Sequence, residues 1–279
     1  MIVTKHRLIF AVTLLSVLTI YGCGHRNYVT ADLSGDDTAG SQQTTALQST
    51  KAVIEVQNDT EPKSSESDTT KQSGISTALH LYQDGTVSIE YPSIKQLADG
   101  TNLLEVNDLL KQNALEILSG YSIDPAKDHL SVTAKIVAAD RKRISVVYTG
   151  ILSSEGAAHP TNVYYTSVID LKSAKNIRLT DYVDPKKLAE YVLSKDCQLY
   201  DASSELTKAF MDARLNMDLE TYTSIFKNAD FSGKQTDAKS AQSFPESFSY
   251  EDQGVILVSI PMAHVLGDFA VVAYTPETK

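Results

Sequence analysis

Apolar positions are unevenly spread along this chain. From about Ser76 onward they recur with the periods of strands and helices, whereas the stretch before it carries no such rhythm. Leu79 to Leu81 and Val87 to Tyr91 are β-prone runs flanking Gln83-Asp84-Gly85-Thr86, and an Asp-Gly pair in that setting predicts a hairpin. A helix is expected next. Leu103, Val106, Leu109, Leu110, Ala114, Ile117 and Leu118 form one apolar stripe, Asn102 and Glu105 have the spacing of a capping box, and Gly120 marks the end.

Two strands follow, His129 to Ala138 and Arg143 to Leu152, joined by Asp140-Arg141-Lys142. In the second, Ile144, Val146 and Tyr148 form an apolar face, while Ser145, Val147 and Thr149 form a mixed one. Val163 to Leu171 reads as a further strand that turns through Lys172 to Asn176 into Ile177 to Leu179. Asp184-Pro185 opens a helix as N-cap and N1, with Leu188, Tyr191 and Val192 on its buried side. Two more helical stretches carry Leu206, Phe210, Met211 and Leu215, then Leu219, Tyr222, Ile225 and Phe226. Residues 227 to 243 are polar and loop-like, and three β-like runs close the chain: Ser247 to Glu251, Val255 to Ile260 and Phe269 to Tyr274. Strands and helices are clustered rather than alternating. The expected class is therefore α+β, a largely antiparallel sheet with packed helices preceded by a disordered tether. A boundary near residue 155 divides an N-terminal unit (76–155) from a C-terminal one (156–279), and whether they are one domain or two stays open.

The N-terminus has a different pattern. Lys5 and Arg7 precede an uncharged apolar run, Leu8 to Tyr21, which ends in Gly22-Cys23. That order is the order of an export signal, and the run is short of the roughly 20 apolar residues that span a bilayer. Ile20-Tyr21-Gly22-Cys23 resembles the lipobox of bacterial lipoproteins, which implies a signal peptide over 1–22 and lipidation of Cys23 by diacylglycerol and a further acyl chain such as palmitate. Two or more chains hold a protein stably on a membrane. The expected location is the extracytoplasmic face of the cell membrane, lipid-anchored, with 23–75 as a flexible linker rich in Ser and Thr. Within that linker Ala52-Val53-Ile54-Glu55-Val56 is a short β-prone run, read as a solvated patch or an added edge strand.

Composition narrows the partners. The formal charge is −10, and loss of Lys5 and Arg7 takes it to about −12, which argues against nucleic acid and favours a cationic partner. With Cys23 lipidated, Cys197 is the remaining thiol, so no intramolecular disulfide is expected. Cys197 reads either as a reactive thiol or as buried filler.

The search for catalytic chemistry finds little. His25, His80, His129, His159 and His264 show no paired metal-ligand spacing, and no nucleophile elbow, P-loop or dinucleotide fingerprint is present. No metal and no cofactor are expected, and the chain reads as a non-enzyme. The most distinctive local sequence is Ser154-Glu155-Gly156-Ala157-Ala158-His159-Pro160. Glu155 and His159 are either an acid/base pair or parts of a tight connector in which Gly156 takes an unusual φ. Tyr148, Tyr164 and Tyr165 beside it are either binding or sheet-face residues.

Tyr148-Thr149-Gly150, Gly156-Ala157-Ala158-His159-Pro160, Tyr164-Tyr165, Ile169-Asp170-Leu171 and Ile177-Arg178-Leu179-Thr180-Asp181 together resemble an extracytoplasmic domain family, DUF4163/DUF3298-like. That domain is shared by RsiV-type anti-sigma factors and the non-catalytic region of PdaC-type peptidoglycan deacetylases. The likeness extends over about 80 to 275. Ala157 stands where a second Gly is common, Lys175-Asn176 replaces Gly-Lys, and Met262 to Gly267 keeps little of the family's closing segment. The resemblance implies an exterior module alone, without the anti-sigma segment or the deacetylase domain. The expected function is a lipid-anchored surface module that binds or senses a cell-wall glycan (peptidoglycan) or a cationic protein such as lysozyme. Its candidate loop is Glu155, Gly156, His159, Pro160, Tyr164 and Tyr165. The alternatives are a cell-wall hydrolase or deacetylase, or its accessory subunit, using Glu155 and His159, and a stalked assembly component.

Overall fold

The computed structural model describes residues 75–97, 102–232 and 244–276. The segment expected to be a signal peptide (1–22), Cys23, the expected linker up to residue 74 and its Ala52–Val56 run lie outside the described residues. Among the described residues two antiparallel-rich sheets and five α-helices make the fold α+β, as the clustering of elements implies. Sheet one has the order β1 (Ser76–Asp84), β2 (Val87–Gln96), β3 (His129–Ala139), β4 (Arg143–Ser153), β5 (Thr161–Asp170) and β6 (Lys175–Asn176). One pair, β2 with β3, is parallel, and α1 (Leu103–Gly120) is the crossover that such a pair needs. Sheet two orders β7 (Gln198–Leu199), β10 (Phe269–Tyr274), β9 (Val255–Pro261) and β8 (Ser249–Asp252), all antiparallel.

Alternation along single strands shows how the layers stack. On β4, Ile144, Val146 and Tyr148 join α1 residues Val106, Leu110 and Ile117 in one core, while Val147 points the other way to meet Tyr250 and Leu257 of sheet two. On β9 the same parity holds: Leu257 meets sheet one, and Ile256, Val258 and Ile260 meet the helices. Those helices are α3 (Pro185–Leu193), α4 (Ser204–Ala213) and α5 (Leu219–Lys227), which supply Leu188, Val192, Phe210, Tyr222 and Phe226. The order is thus helix, sheet, sheet, helices. An ion pair between Arg143 and Glu251 ties the two sheets. No helix among the described residues is long and apolar enough to cross a membrane.

Several details depart from the sequence reading for local reasons. The hairpin turn is Gly85-Thr86, with Asp84 paired to Val87, and only Gly85 has positive φ (54°), as a type II′ turn requires. Asn102 makes no side-chain cap; its amide donates instead to the Lys172 carbonyl, leaving its own carbonyl to accept from Val106 at 2.9 Å. Ile177 to Leu179 is not a strand, because Leu179 starts a single helical turn, α2 (Leu179–Tyr182). Leu215 sits in a 3-10 turn and is 64% exposed, so it is not a core residue. The boundary near residue 155 falls in the β4–β5 loop. β4 and β5 pair along their length, from Arg143 with Asp170 to Leu152 with Thr161, so sheet one runs through that boundary.

Candidate functional site

Where α1 ends, its last turn meets the start of β5, the segment from Phe244 to Phe248 and the β9–β10 connection, enclosing a cleft of about 650 Å³. Gly120 makes this approach feasible. A Cβ there would stand 2.5 Å from the Phe244 side chain, so the ring packs on bare backbone at the helix terminus. Phe244 then meets Tyr121 edge-on at 5.5 Å, Phe248 at 5.2 Å and Tyr165 at 5.7 Å between ring centroids. Across the cleft Tyr164 packs on Phe269 at 4.8 Å. Five aromatic rings thus line the cleft, with Tyr121 the most open at 42% exposure.

Three carboxylates, Glu116, Glu246 and Asp268, line the same cleft, and no Lys or Arg lines it among the described residues. Asp268 is the best held. Its φ is 73° and it follows Gly267, in a turn closed by Met262 donating its N–H to the Asp268 carbonyl at 2.8 Å. Its Oδ2 accepts from the Asn162 backbone N–H at 2.7 Å and from Asn162 Nδ2 at 3.2 Å, which joins β5 to the β9–β10 connection. Its Oδ1 lies 2.6 Å from His264 Nδ1. Burial pushes the Tyr121 phenol above its ordinary pKa, and the negative charge of Asp268 adds to that.

The candidate loop divides. Ser154 to Pro160 is wholly exposed, and Gly156 has a φ of 82° with nothing within 4 Å of where a Cβ would sit, so glycine is used there for backbone conformation. Asp128 holds the loop. Its carboxyl lies below the usual range chiefly through the Asp124 backbone N–H (2.9 Å), with further bonds from the Ser154 hydroxyl and the Glu155 backbone. No hydrogen bond joins Glu155 to His159 among the described residues. His159 instead faces His264, with ring centroids 6.2 Å apart. Tyr164 reaches the cleft wall. Tyr165 does not: it is fully buried, stacked on Tyr148 at 4.6 Å and donating its hydroxyl to the Ala114 carbonyl at 2.7 Å, which makes it a core residue. Cys197 is buried, and burial pushes its thiol up to about 11 despite Arg214, so the filler reading is the one its surroundings favour.

Sequence reasoning missed most of the cleft. Glu116 and Tyr121, Phe244, and Asp268 and Phe269 come from three separate segments with no shared motif. It also missed Asp230, the buried node beneath the aromatic floor. Asp230 accepts from the Leu179 N–H (2.7 Å), the Ser249 N–H (2.6 Å) and the Ser249 hydroxyl (2.6 Å), and its own N–H donates to the Ser247 carbonyl at 3.0 Å. Arg178 beside it donates to the carbonyls of Lys227 and Ala229, capping the end of α5. The adjoining Phe248 lines the cleft and the adjoining Phe231 packs behind it on Phe248 and Phe244, so three chain segments meet at one carboxyl group. Among the described residues no group of three or more His, Cys, Asp or Glu is placed to hold a metal ion.

No family model matches the chain, and no curated protein matches it. The solved structures similar to it include two DUF3298 proteins. A DUF3298 family protein from Pseudomonas aeruginosa PAO1 is 16% identical, over 72% of this chain and 88% of that one, with a TM-score of 0.34. A DUF3298 family member from Bacteroides fragilis NCTC 9343 is 8% identical, over 72% of this chain and 90% of that one, with a TM-score of 0.40.

Proposed function

We propose that this chain is a lipid-anchored binding module of the cell envelope, whose cleft takes a basic side chain or loop from a cationic protein such as lysozyme. The observation that carries the reading is the lining of the cleft: aromatic rings with Glu116, Glu246 and Asp268 among them and, among the described residues, no Lys or Arg. An Arg or Lys entering there gains charge pairing and ring contact together, since a cation within about 6 Å of an aromatic centroid is attracted to its face. The formal charge of −10 adds long-range attraction for a basic partner. The lipobox-like N-terminus and the likeness of residues 148–181 to an extracytoplasmic domain support the location.

Calorimetry of the full chain against lysozyme, with insoluble peptidoglycan in a parallel pull-down, tests the reading. Lysozyme is expected to bind, more weakly at higher salt, and E116Q/E246Q is expected to weaken it about tenfold, as loss of one half-buried and one exposed charge facing a basic partner implies. Binding of peptidoglycan alone would replace the cationic ligand by the glycan. Binding of neither would overturn the ligand assignment altogether.

A further inference from the structure

His159 closes the β4–β5 loop and His264 opens the turn between β9 and β10, yet the fold sets them ring to ring, 6.2 Å apart with planes inclined by 30°. Both side chains are exposed. His264 spends Nδ1 on Asp268, which leaves Nε2 as its free ligating atom. Asp268 is only 15% exposed and is fixed on its other oxygen by Asn162. A carboxylate behind an imidazole is the arrangement that sets tautomer and ring direction in metal sites and makes the nitrogen a better donor. The separation is close to what an ion needs: about 2.0–2.1 Å from one nitrogen of each ring, it puts the centroids roughly 5 Å apart at a tetrahedral angle, so an approach of about 1 Å by the exposed His159 loop brings the rings to that spacing. Stapling of the turn is a poorer account. Met262 and Gly267 already close it with backbone bonds to Asp268 and His264, and His159 adds no hydrogen bond among the described residues.

We propose that His159 and His264, with Asp268 positioning His264, bind one divalent transition-metal ion of the zinc, nickel or copper class, for which imidazole is a suitable ligand. Two nitrogens fill half of a tetrahedral shell, so water or an acid from a partner completes it, and the ion is exchangeable rather than structural. The site stands apart from the ligand assigned to the cleft. It shares only Asp268 with the lining.

The test is a titration of the metal-free full chain with zinc chloride and nickel chloride, followed by calorimetry and by the NMR signals of the histidine rings. Saturable binding of one ion is expected with a Kd on the order of 100 µM or tighter, moving the rings of His159 and His264 and no others. H159A and H264A are each expected to abolish it. D268N is expected to weaken it about tenfold while both rings still respond, and H129A to leave it unchanged. His159 lies on an exposed loop clear of the core, so H159A decides the matter even if H264A unfolds. Absence of saturable binding below about 1 mM, or an affinity unchanged in H159A, would overturn the proposal.

Discussion

Asp230 makes the stability of the floor beneath the cleft depend on pH in an unusual direction. Burial raises its carboxyl from 3.8 to about 6, opposed by hydrogen bonds from Ser249 and Leu179 and by the charge of Arg178. A folded-state pKa above the unfolded one means that the native state holds the proton more tightly. Its contribution to stability is therefore complete below about pH 4 and is lost as pH rises through about 6. At about 1.36 kcal/mol per unit, a rise of this size amounts to roughly 3 kcal/mol between those limits. The neutral form has a place for its proton: Oδ2 can donate to the Ser249 hydroxyl, which then reverses its role, while still accepting from the Leu179 N–H. Asp230→Asn cannot do both. An amide group at that position faces the Leu179 N–H and leaves one buried donor unpaired, at a cost of about 1–3 kcal/mol. The mutant should thus be less stable than the wild type near pH 4 by that amount, and the deficit should shrink by roughly 3 kcal/mol by pH 7.5, where the wild type bears the buried charge. Urea unfolding followed by far-UV circular dichroism at both pH values measures it, and comparison with the mutant cancels the titration of every other acid. A difference that does not change with pH would show that Asp230 does not titrate in this range and would refute the reasoning.

The stacked pair Tyr148 and Tyr165 separates packing from hydrogen bonding. Tyr165→Phe should lose about 1 kcal/mol with its bond to Ala114, whereas Tyr148→Phe, which removes a buried hydroxyl without a partner among the described residues, should be neutral or stabilising by up to about 1 kcal/mol; both are read by thermal melts. Gly120→Ala should destabilise by about 1–3 kcal/mol despite the better helix propensity of alanine, because its methyl collides with Phe244, and lysozyme binding should weaken with it. In a C23S chain Cys197 should resist a disulfide reagent at pH 8 and react on unfolding in urea, since a buried thiol with a pKa near 11 carries little thiolate; rapid labelling of the native protein would contradict its placement.

The chain itself determined which segments form elements. Period-2 and period-3.6 patterns are local, so β3, β4, α1, α3 and β10 were legible to within a residue or two, and the Asp184-Pro185 helix start is a local signal whose side-chain bonds form as expected, to the N–H groups of Lys186 and Lys187. The positive φ at Gly156 belonged to one of two readings that the sequence left open. Short pieces were not legible: β7 and α2 have too few residues for any period, and each exists because a neighbour supplies its partner, β10 for β7 and Asp230 for the first N–H of α2. Only the tertiary structure decided which face of β4 and β9 would meet which layer, because both faces of those strands are apolar enough to be buried. It also decided the cleft. Glu116, Tyr164, Phe244 and Asp268 are unremarkable residues in four separate segments, and their charges and rings act together only because the end of α1, the start of β5 and the β9–β10 turn converge in space. The same holds for His159 and His264, which no spacing rule pairs and which the Asn162–Asp268 bonds bring side by side.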